Sequence, residues 1–209
     1  MKKIASLVMM LCLPFMAFSA DYIEGEHYTQ VSEKGTKKPE VREFFSFYCP
    51  HCMKFEPFMD EVKKSLPEDA SFEMNHVDFL RASSPKIQGM LTKATLVAKQ
   101  MKMEKQLVGA LFNYIQVKRS VITAESDIRK LFVANGADGE KFDKLMKSFT
   151  VNSQAKSLKK NQDMYSKSGA LTGVPAVFVN GKYRINAQAL DKQNFIEDYK
   201  KLVAYLLTK

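Results

Sequence analysis

The chain has 209 residues, of which 45% are hydrophobic and 26% charged, and its formal net charge is +9. This composition is typical of a globular protein and excludes a low-complexity chain. The length suits one large domain, or one domain with an insertion, and allows a core that needs no stabilising disulfide or structural metal. The basic residues are scattered over amphipathic helices, so we interpret the charge as a solvated surface and do not expect nucleic-acid binding.

The first residues have the pattern of a secretory signal peptide. Lys2 and Lys3 form a short positive region, an apolar run extends from Ile4 to Phe18, and small residues precede a cleavage point after Ser19. The apolar run is too short to span a bilayer comfortably, which makes an uncleaved membrane anchor the weaker alternative. We therefore expect the chain to be exported and residues 1–19 to be removed.

Cys12 leaves with the signal peptide, so the mature chain has two cysteines, Cys49 and Cys52. A disulfide across two residues closes a very small loop and stabilises little, so the pair is better explained by redox chemistry than by structure. A structural zinc site is the alternative, but such a site usually needs four ligands. There is no second cysteine pair, and His27 and His76 lie singly on predicted strands. We therefore expect no metal.

Three strands and one helix are predicted in the first part of the mature chain. The first strand, His27–Val31, is short, whereas Val41–Phe47 is rich in aromatic and apolar residues and suits the centre of a sheet. The chain then enters a helix directly, because Pro50 suits the first helical position, and this helix should run to about Leu66. Ser71–Asp78 is a third strand.

Several helices are predicted between about Pro85 and Ser168, where apolar residues recur at helical spacing. Thr123 and Asp138 are candidate N-caps, and Gly136 is a candidate helix stop. This segment is far longer than one crossover connection requires. We interpret residues 85–168 as an inserted all-helical domain.

The sheet resumes with the strand Ala176–Val179. Asn180-Gly181 favours a type I′ turn, which returns the chain through Lys182–Ile185. A final amphipathic helix has an apolar face formed by Phe195, Tyr199, Leu202, Val203 and Leu206. The order of the elements predicts an α/β protein, namely a thioredoxin-like fold whose sheet is interrupted by the helical domain.

The segment Cys49-Pro50-His51-Cys52 provides what disulfide exchange requires, a thiolate nucleophile and a second thiol that resolves the mixed disulfide. Cys49 should lie at the N-cap, where the unpaired N–H groups and the helix dipole favour its thiolate. Cys52 should lie one turn further and be less exposed. His51 would stabilise the Cys49 thiolate further, as an imidazolium or through a ring N–H, and so make the disulfide a stronger oxidant.

Two more positions are candidates for the site. Glu43 lies within an apolar strand, where it is either buried, and able to accept a proton from Cys52, or solvated through a twist of the strand. In Gly173-Val174-Pro175, which precedes a strand, the proline either begins an edge strand or follows a cis peptide bond that turns the backbone towards the cysteines. The residues alone leave both questions open.

The chain resembles the DsbA family of bacterial periplasmic thiol:disulfide interchange proteins over essentially its whole mature length. The segments that carry the resemblance are residues 43–52, 126–129 and 173–183. It implies a thioredoxin-like domain at 20–84 and 169–209 around the helical domain at 85–168. It also implies a periplasmic oxidase that donates disulfides to reduced, newly exported proteins. Such an oxidase uses the cysteine pair without another cofactor and is reoxidised by DsbB, a quinone-linked inner-membrane partner.

The resemblance also implies residue roles. Cys49 is the nucleophile, Cys52 is the resolving cysteine and Pro175 is the cis-proline. Val174 offers backbone hydrogen bonds to a bound peptide, and Glu43 occupies the place of the family's buried acid. The chain departs from the family in one respect: members can place a lysine near this acid, at the position of Met74, so the charge partner of Glu43 is missing here.

Apolar surface around the cysteine turn should bind the peptide substrate, and the nearest candidates are Phe47, Tyr48 and Met53, although Phe47 suits the core better.

Two other functions remain open. A reductase or isomerase is disfavoured because no dimerisation domain precedes the thioredoxin fold and because Pro50-His51 favours oxidation. We also expect a monomer. A binding or chaperone module without turnover is disfavoured because both cysteines, His51 and the Gly-Val-Pro segment are present.

Overall fold

The computed structural model describes residues 22–209, so the predicted signal peptide lies outside the described residues. A five-stranded sheet forms the centre of the fold: β1 (Tyr28–Gln30), β2 (Glu40–Phe45), β3 (Ser71–His76), β4 (Ala176–Val179) and β5 (Tyr183–Ile185). The strands lie in the order β1-β5-β4-β2-β3. Strands β2 and β3 are parallel, and the other neighbours are antiparallel.

Seven α-helices accompany this sheet within the described range: α1 (Pro50–Lys64), α2 (Pro85–Gln100), α3 (Glu104–Phe112), α4 (Glu125–Ala134), α5 (Gly139–Lys147), α6 (Phe149–Lys167) and α7 (Phe195–Thr208). Five of them, α2 to α6, follow one another between β3 and β4. The predicted fold class is therefore confirmed, an α/β thioredoxin-like sheet with a helical insertion. A π-helix at Asn113–Val117 and a 3₁₀ turn at Ala187–Ala189 have no counterpart among the predicted elements.

The end of β2 differs from the prediction, and the difference positions the cysteines. The strand stops at Phe45 instead of Phe47, and residues 46–48 turn the chain towards α1. The N–H of Cys49 donates to the carbonyl oxygen of Ser46 at 3.1 Å, which closes this turn. The first cysteine therefore lies at the carboxyl end of the central strand and at the amino end of a helix.

Two smaller predictions were wrong. The N-cap of α4 is Ala124 and not Thr123: the Asp127 carboxylate reaches back and accepts the N–H of Ala124 at 3.0 Å, and the Thr123 hydroxyl donates to the same carboxylate at 2.8 Å. His27 lies in the turn before β1, where its Nδ1 accepts the N–H of Ile23 at 3.1 Å. By contrast, Asp138 caps α5 as predicted and accepts the N–H groups of residues 140 and 141.

The β4–β5 hairpin turn matches the prediction. Asn180 and Gly181 have φ angles of 53° and 64°, the positive values that a type I′ turn requires. The Asn180 side chain accepts the N–H of Glu40 at 3.1 Å and donates to the carbonyl oxygens of Leu206 and Leu207. The hairpin thus connects β2 with the end of α7.

The core has two large clusters of buried apolar residues and a smaller third one. Residues of β2, β4, α1 and α7 form the first cluster, with Val41, Val179 and Leu202 fully buried. The second cluster joins the helical insertion to the cysteine turn, because Phe45, Phe47 and Cys52 pack in the same cluster as residues of α2 to α6. The redox segment therefore lies where the helical insertion packs against the end of the sheet.

Candidate active site

The cysteine pair begins α1. Cys49 is the N-cap residue, Pro50 takes the first helical position, and the Cys49 sulfur accepts the N–H of Cys52 at 3.1 Å. A side-chain acceptor at an N-cap satisfies one of the amide groups that a helix start leaves unpaired. The sulfur of Cys49 thus takes the place that a serine or aspartate oxygen has at other helix starts.

The two thiols differ in exposure and in acidity. They are not joined in a disulfide, and Cys49 is 7% exposed whereas Cys52 is fully buried. A hydrogen bond from the Cys52 thiol, with help from the backbone N–H groups of Cys52 and His51, lowers the pKa of Cys49 to about 7 against the effect of burial. The same hydrogen bond, together with burial, raises the pKa of Cys52. Only Cys49 has a substantial thiolate fraction near neutral pH.

His51 lies on the exposed side of the turn. Its backbone N–H helps to lower the pKa of Cys49. Among the hydrogen bonds of the described residues, none joins the His51 ring to the Cys49 sulfur, so the predicted ring donor is not seen in this arrangement.

The Gly-Val-Pro segment lies beside the cysteine pair. The Val174–Pro175 peptide bond is cis. The Cys49 thiol donates to the carbonyl oxygen of Val174, with 3.4 Å between sulfur and oxygen. Residues that are 125 positions apart in the chain are thus brought into contact. A disulfide partner that approaches Cys49 therefore meets the Val174 backbone.

Glu43 is buried on β2, with 2% of its surface exposed. Burial, followed by the negative charges of Glu56, Cys49 and Asp60, raises its pKa to about 8. Met74 is its direct partner across the parallel β2–β3 pair, so β3 supplies no cation at this point. The structure thus places a carboxyl group that can gain or lose a proton near neutral pH close to the two thiols.

A cavity of about 30 Å³ lies next to Glu43 and is large enough for a water molecule. Two lysines line it from α1 and α3 instead of β3: Lys63 pairs with Glu104 at 2.6 Å, and Lys105 pairs with Asp60. Glu56 also lines the cavity. Its position four residues after Cys52 on the same helix face was a signal that our sequence analysis did not use.

Gln116 is a second residue that the sequence analysis missed. It lies in the π-helix after α3, and its side-chain amide donates to the carbonyl oxygens of Phe47 and Cys49 at 2.8 and 3.0 Å. It therefore connects the helical insertion to the backbone of the cysteine turn. A single-turn π-helix has no sequence pattern of its own, so this contact could not be found in advance.

The candidate peptide-binding residues divide into two kinds. Phe47 is fully buried and stacks on the His76 ring with 5.1 Å between ring centroids, so it belongs to the core. Tyr48 and Met53 are partly buried at the edge of the same cluster and keep some surface at the turn. Only these two side chains retain the exposure that contact with a substrate requires.

Residues 22–209 contain neither a metal-binding cluster nor a helix suited to cross a membrane. This part of the chain contains no group of three or more His, Cys, Asp or Glu residues placed to hold a metal ion. It also contains no helix with the length and apolar character needed to cross a membrane.

A thioredoxin-like sheet that presents a Cys-x-x-Cys pair at the start of a helix defines a protein-disulfide oxidoreductase. Comparison with known proteins then gives the family. The DSBA-like thioredoxin domain matches residues 40–199, and the chain belongs to this DsbA family.

Curated relatives and solved structures agree with this assignment. The thiol:disulfide interchange protein DsbA of Escherichia coli K12 is 40% identical over 215 aligned residues that cover both chains completely. The corresponding protein of Pectobacterium carotovorum is 37% identical over the same coverage. Among structures, DsbA of Proteus mirabilis with a non-covalently bound peptide has a TM-score of 0.79 and 33% identity, and the match covers 91% of this chain and 100% of that one.

Proposed function

We propose that the protein donates its Cys49–Cys52 disulfide to reduced, newly exported proteins in the periplasm, after removal of residues 1–19. The observation that carries this proposal is the unequal acidity of the two thiols, with the pKa of Cys49 lowered to about 7 and that of Cys52 raised. A stabilised thiolate favours the reduced pair over the disulfide. The disulfide is therefore easily reduced, which makes it an oxidant of other thiols.

The exchange proceeds in two steps. A substrate thiolate attacks the sulfur of Cys49 in the oxidised protein, the Cys49–Cys52 bond breaks, and Cys52 leaves and takes up a proton. A second substrate thiolate then attacks the substrate sulfur of the mixed disulfide, and Cys49 leaves as a thiolate. The substrate loses two electrons and gains a disulfide, and the cysteine pair gains two electrons. The low pKa of Cys49 makes it a good leaving group in the second step.

Glu43 handles the proton of Cys52 in this scheme. With a pKa of about 8, its carboxyl group can give a proton to the departing Cys52 sulfur and accept one when the pair is reoxidised. The adjacent cavity, with Glu56 and Asp60, offers the proton a route towards solvent. Lys63 of α1 and Lys105 of α3 line the cavity but pair with Glu104 and Asp60, so within the described residues Glu43 keeps no cation of its own in place of the one missing at Met74.

The remaining site residues position the reactants. Pro50 fixes the start of α1, and His51 contributes its backbone N–H to the Cys49 sulfur. Val174 holds the substrate chain across Cys49 through backbone hydrogen bonds, which suits diverse sequences, and the cis-proline Pro175 orients this backbone. The peptide bound to the Proteus mirabilis relative supports a protein substrate.

We further propose that a DsbB-like inner-membrane quinone reductase reoxidises the pair and that the protein acts as a monomer without another cofactor. The division into a thioredoxin-like domain at 20–84 and 169–209 and a helical domain at 85–168 is part of the same proposal. Its support is the run of five helices that the chain inserts between β3 and β4.

The proposal is tested with a reduced, unfolded protein that regains activity only when its disulfides form. The oxidised wild-type protein should restore that activity, and Cys49→Ser should not. Ser153→Ala, an exposed change on α6, is the matched control and should oxidise as the wild type does. Oxidation that survives Cys49→Ser would contradict the mechanism. A wild-type protein that reduces disulfides but does not form them would assign it to the reductases.

A further inference from the structure

A second cavity, of about 470 Å³, lies between α2 and α6 at the end of β3. None of the residues that line it belongs to the cysteine site described above. Its size lies in the range of small-molecule sites, which usually have an apolar lining and a few polar groups.

Part of the cavity has an apolar lining, and Gly89 of α2 adds no side chain that would fill this part. Pro85, Met90 and Ala155 contribute apolar surface. A Cβ atom placed on Gly89, in the second turn of α2, would meet no atom within 4 Å. Since a larger residue would project into this free space, the glycine keeps the α2 wall of the cavity open.

The charged part of the lining is basic. Lys86, Lys93, Lys156 and Lys159 line the cavity together with one acid, Asp78. Asp78 is already engaged, because Lys159 lies 3.1 Å from its carboxylate and Gln162 donates to it at 2.7 Å. Within residues 22–209, the other three lysines form no ion pair. The cavity therefore has an uncompensated positive charge.

A buried polar group lies at the same place. His76 lines the cavity with only 2% of its surface exposed, and its Nδ1 is 3.0 Å from the hydroxyl oxygen of Thr92. Its Nε2 is buried and has no hydrogen-bond partner among the described residues. Such a group costs free energy unless something pairs with it, and in native proteins it calls for an explanation.

We propose that this cavity binds an amphipathic anion, a small molecule with an apolar body and one carboxylate or sulfate group. The apolar body packs against Met90 and Ala155 beside Gly89. The anionic group lies among Lys86, Lys93 and Lys156 and offsets part of their positive charge. Charge complementarity and the apolar lining of the cavity favour such a molecule over a flat anionic surface.

The steric test uses the full-length mature protein and the carboxylate decanoate below its micellar concentration, measured by titration calorimetry. The wild type should bind one decanoate, and Gly89→Leu should weaken binding about tenfold or more by filling the cavity. Gly109→Leu is the matched control, since a Cβ on that α3 glycine also meets no atom within 4 Å, and it should bind as the wild type does. Thermal unfolding and thiol oxidation verify that each variant folds.

The charge test uses Lys93→Glu with Lys156→Glu, which should weaken decanoate binding about tenfold. Lys130→Glu with Lys201→Glu makes the same change in net charge on α4 and α7 and should have no effect. Decanol, which lacks the charge, should bind the wild type more weakly than decanoate. The proposal is overturned if decanoate does not bind or if Gly89→Leu binds it normally. It is also overturned if only anionic lipid vesicles bind, which would make this face a membrane-docking surface.

Discussion

At the scale of single residues, the site depends on the different surroundings of two cysteines at the start of one helix. The Cys49 sulfur accepts a hydrogen bond from a backbone N–H at the N-cap and stays partly exposed, whereas Cys52, three residues later, is fully buried. This contrast could be predicted from the spacing and from Pro50 alone. The role expected of the His51 ring could not be tested by spacing, because the direction of an exposed side chain is not determined by its neighbours in sequence.

The sequence left open whether the Glu43 side chain is buried or solvated. The structure shows that it is buried, and burial raises the pKa of its carboxyl group. Its pKa rises from 4.5 to about 8, so between these values the folded protein holds a proton that the unfolded chain releases. The free energy of unfolding therefore falls as pH rises through this window.

Glu43→Gln should abolish the decrease in the free energy of unfolding with rising pH. Between about pH 5 and about pH 8, the free energy of unfolding should fall by roughly 2–4 kcal/mol less in the variant than in the wild type. Urea unfolding of the reduced proteins at the two pH values measures the difference. Glu68→Gln, an exposed change before β3, is the control and should follow the wild type. If Glu43→Gln keeps the wild-type pH dependence, the carboxyl group does not hold the proton assigned to it.

At the scale of elements, the sequence predicted the type of each main strand and helix, and tertiary contacts moved their ends. Strand β2 stops at Phe45 because the chain must turn into α1, although Phe47 continues the apolar alternation of Phe45. The start of α4 moved by one residue because the Thr123 hydroxyl donates to Asp127 instead of accepting an N–H of the first helical turn. The π-helix and Gln116 had no local signal and were missed.

Gln116→Leu tests how this π-helix supports the active site. Loss of the side-chain amide leaves the carbonyl oxygen of Phe47 without this donor, and the carbonyl oxygen of Cys49 keeps only the N–H of Met53. We expect a loss of roughly 1–3 kcal/mol in the free energy of unfolding, together with a change in the thiolate titration of Cys49.

The matched control is Gln106→Leu on α3, where the lost hydrogen bond joins the amide to the exposed carbonyl oxygen of Asn135 at 2.8 Å. That variant should lose less stability and leave the Cys49 titration unchanged. Equal effects of the two substitutions would mean that Gln116 has no particular connection to the cysteine turn.

At the scale of the whole molecule, the fold unites two segments that the chain separates by the five inserted helices. The β2–β4 pairing brings the strand after Pro175 beside the strand before Cys49, and Val174 thereby reaches the sulfur. The sequence indicated both segments, but their contact was only one of the two alternatives that the residues left open for the Gly-Val-Pro segment. The cavity between α2 and α6 was not predicted at all, because it depends on how two helices pack and on an absent side chain at Gly89.

The central claim is that Cys49 is an acidic thiol whose stabilised thiolate makes the disulfide oxidising. The most direct test is the ultraviolet absorbance of its thiolate as a function of pH in the reduced protein, with equilibration against glutathione on the same sample. The account predicts a Cys49 pKa of about 7 or below, well under its usual value of 9.0, and a reduction potential above that of glutathione. An ordinary thiol pKa with a potential below that of glutathione would contradict it and indicate a reductase.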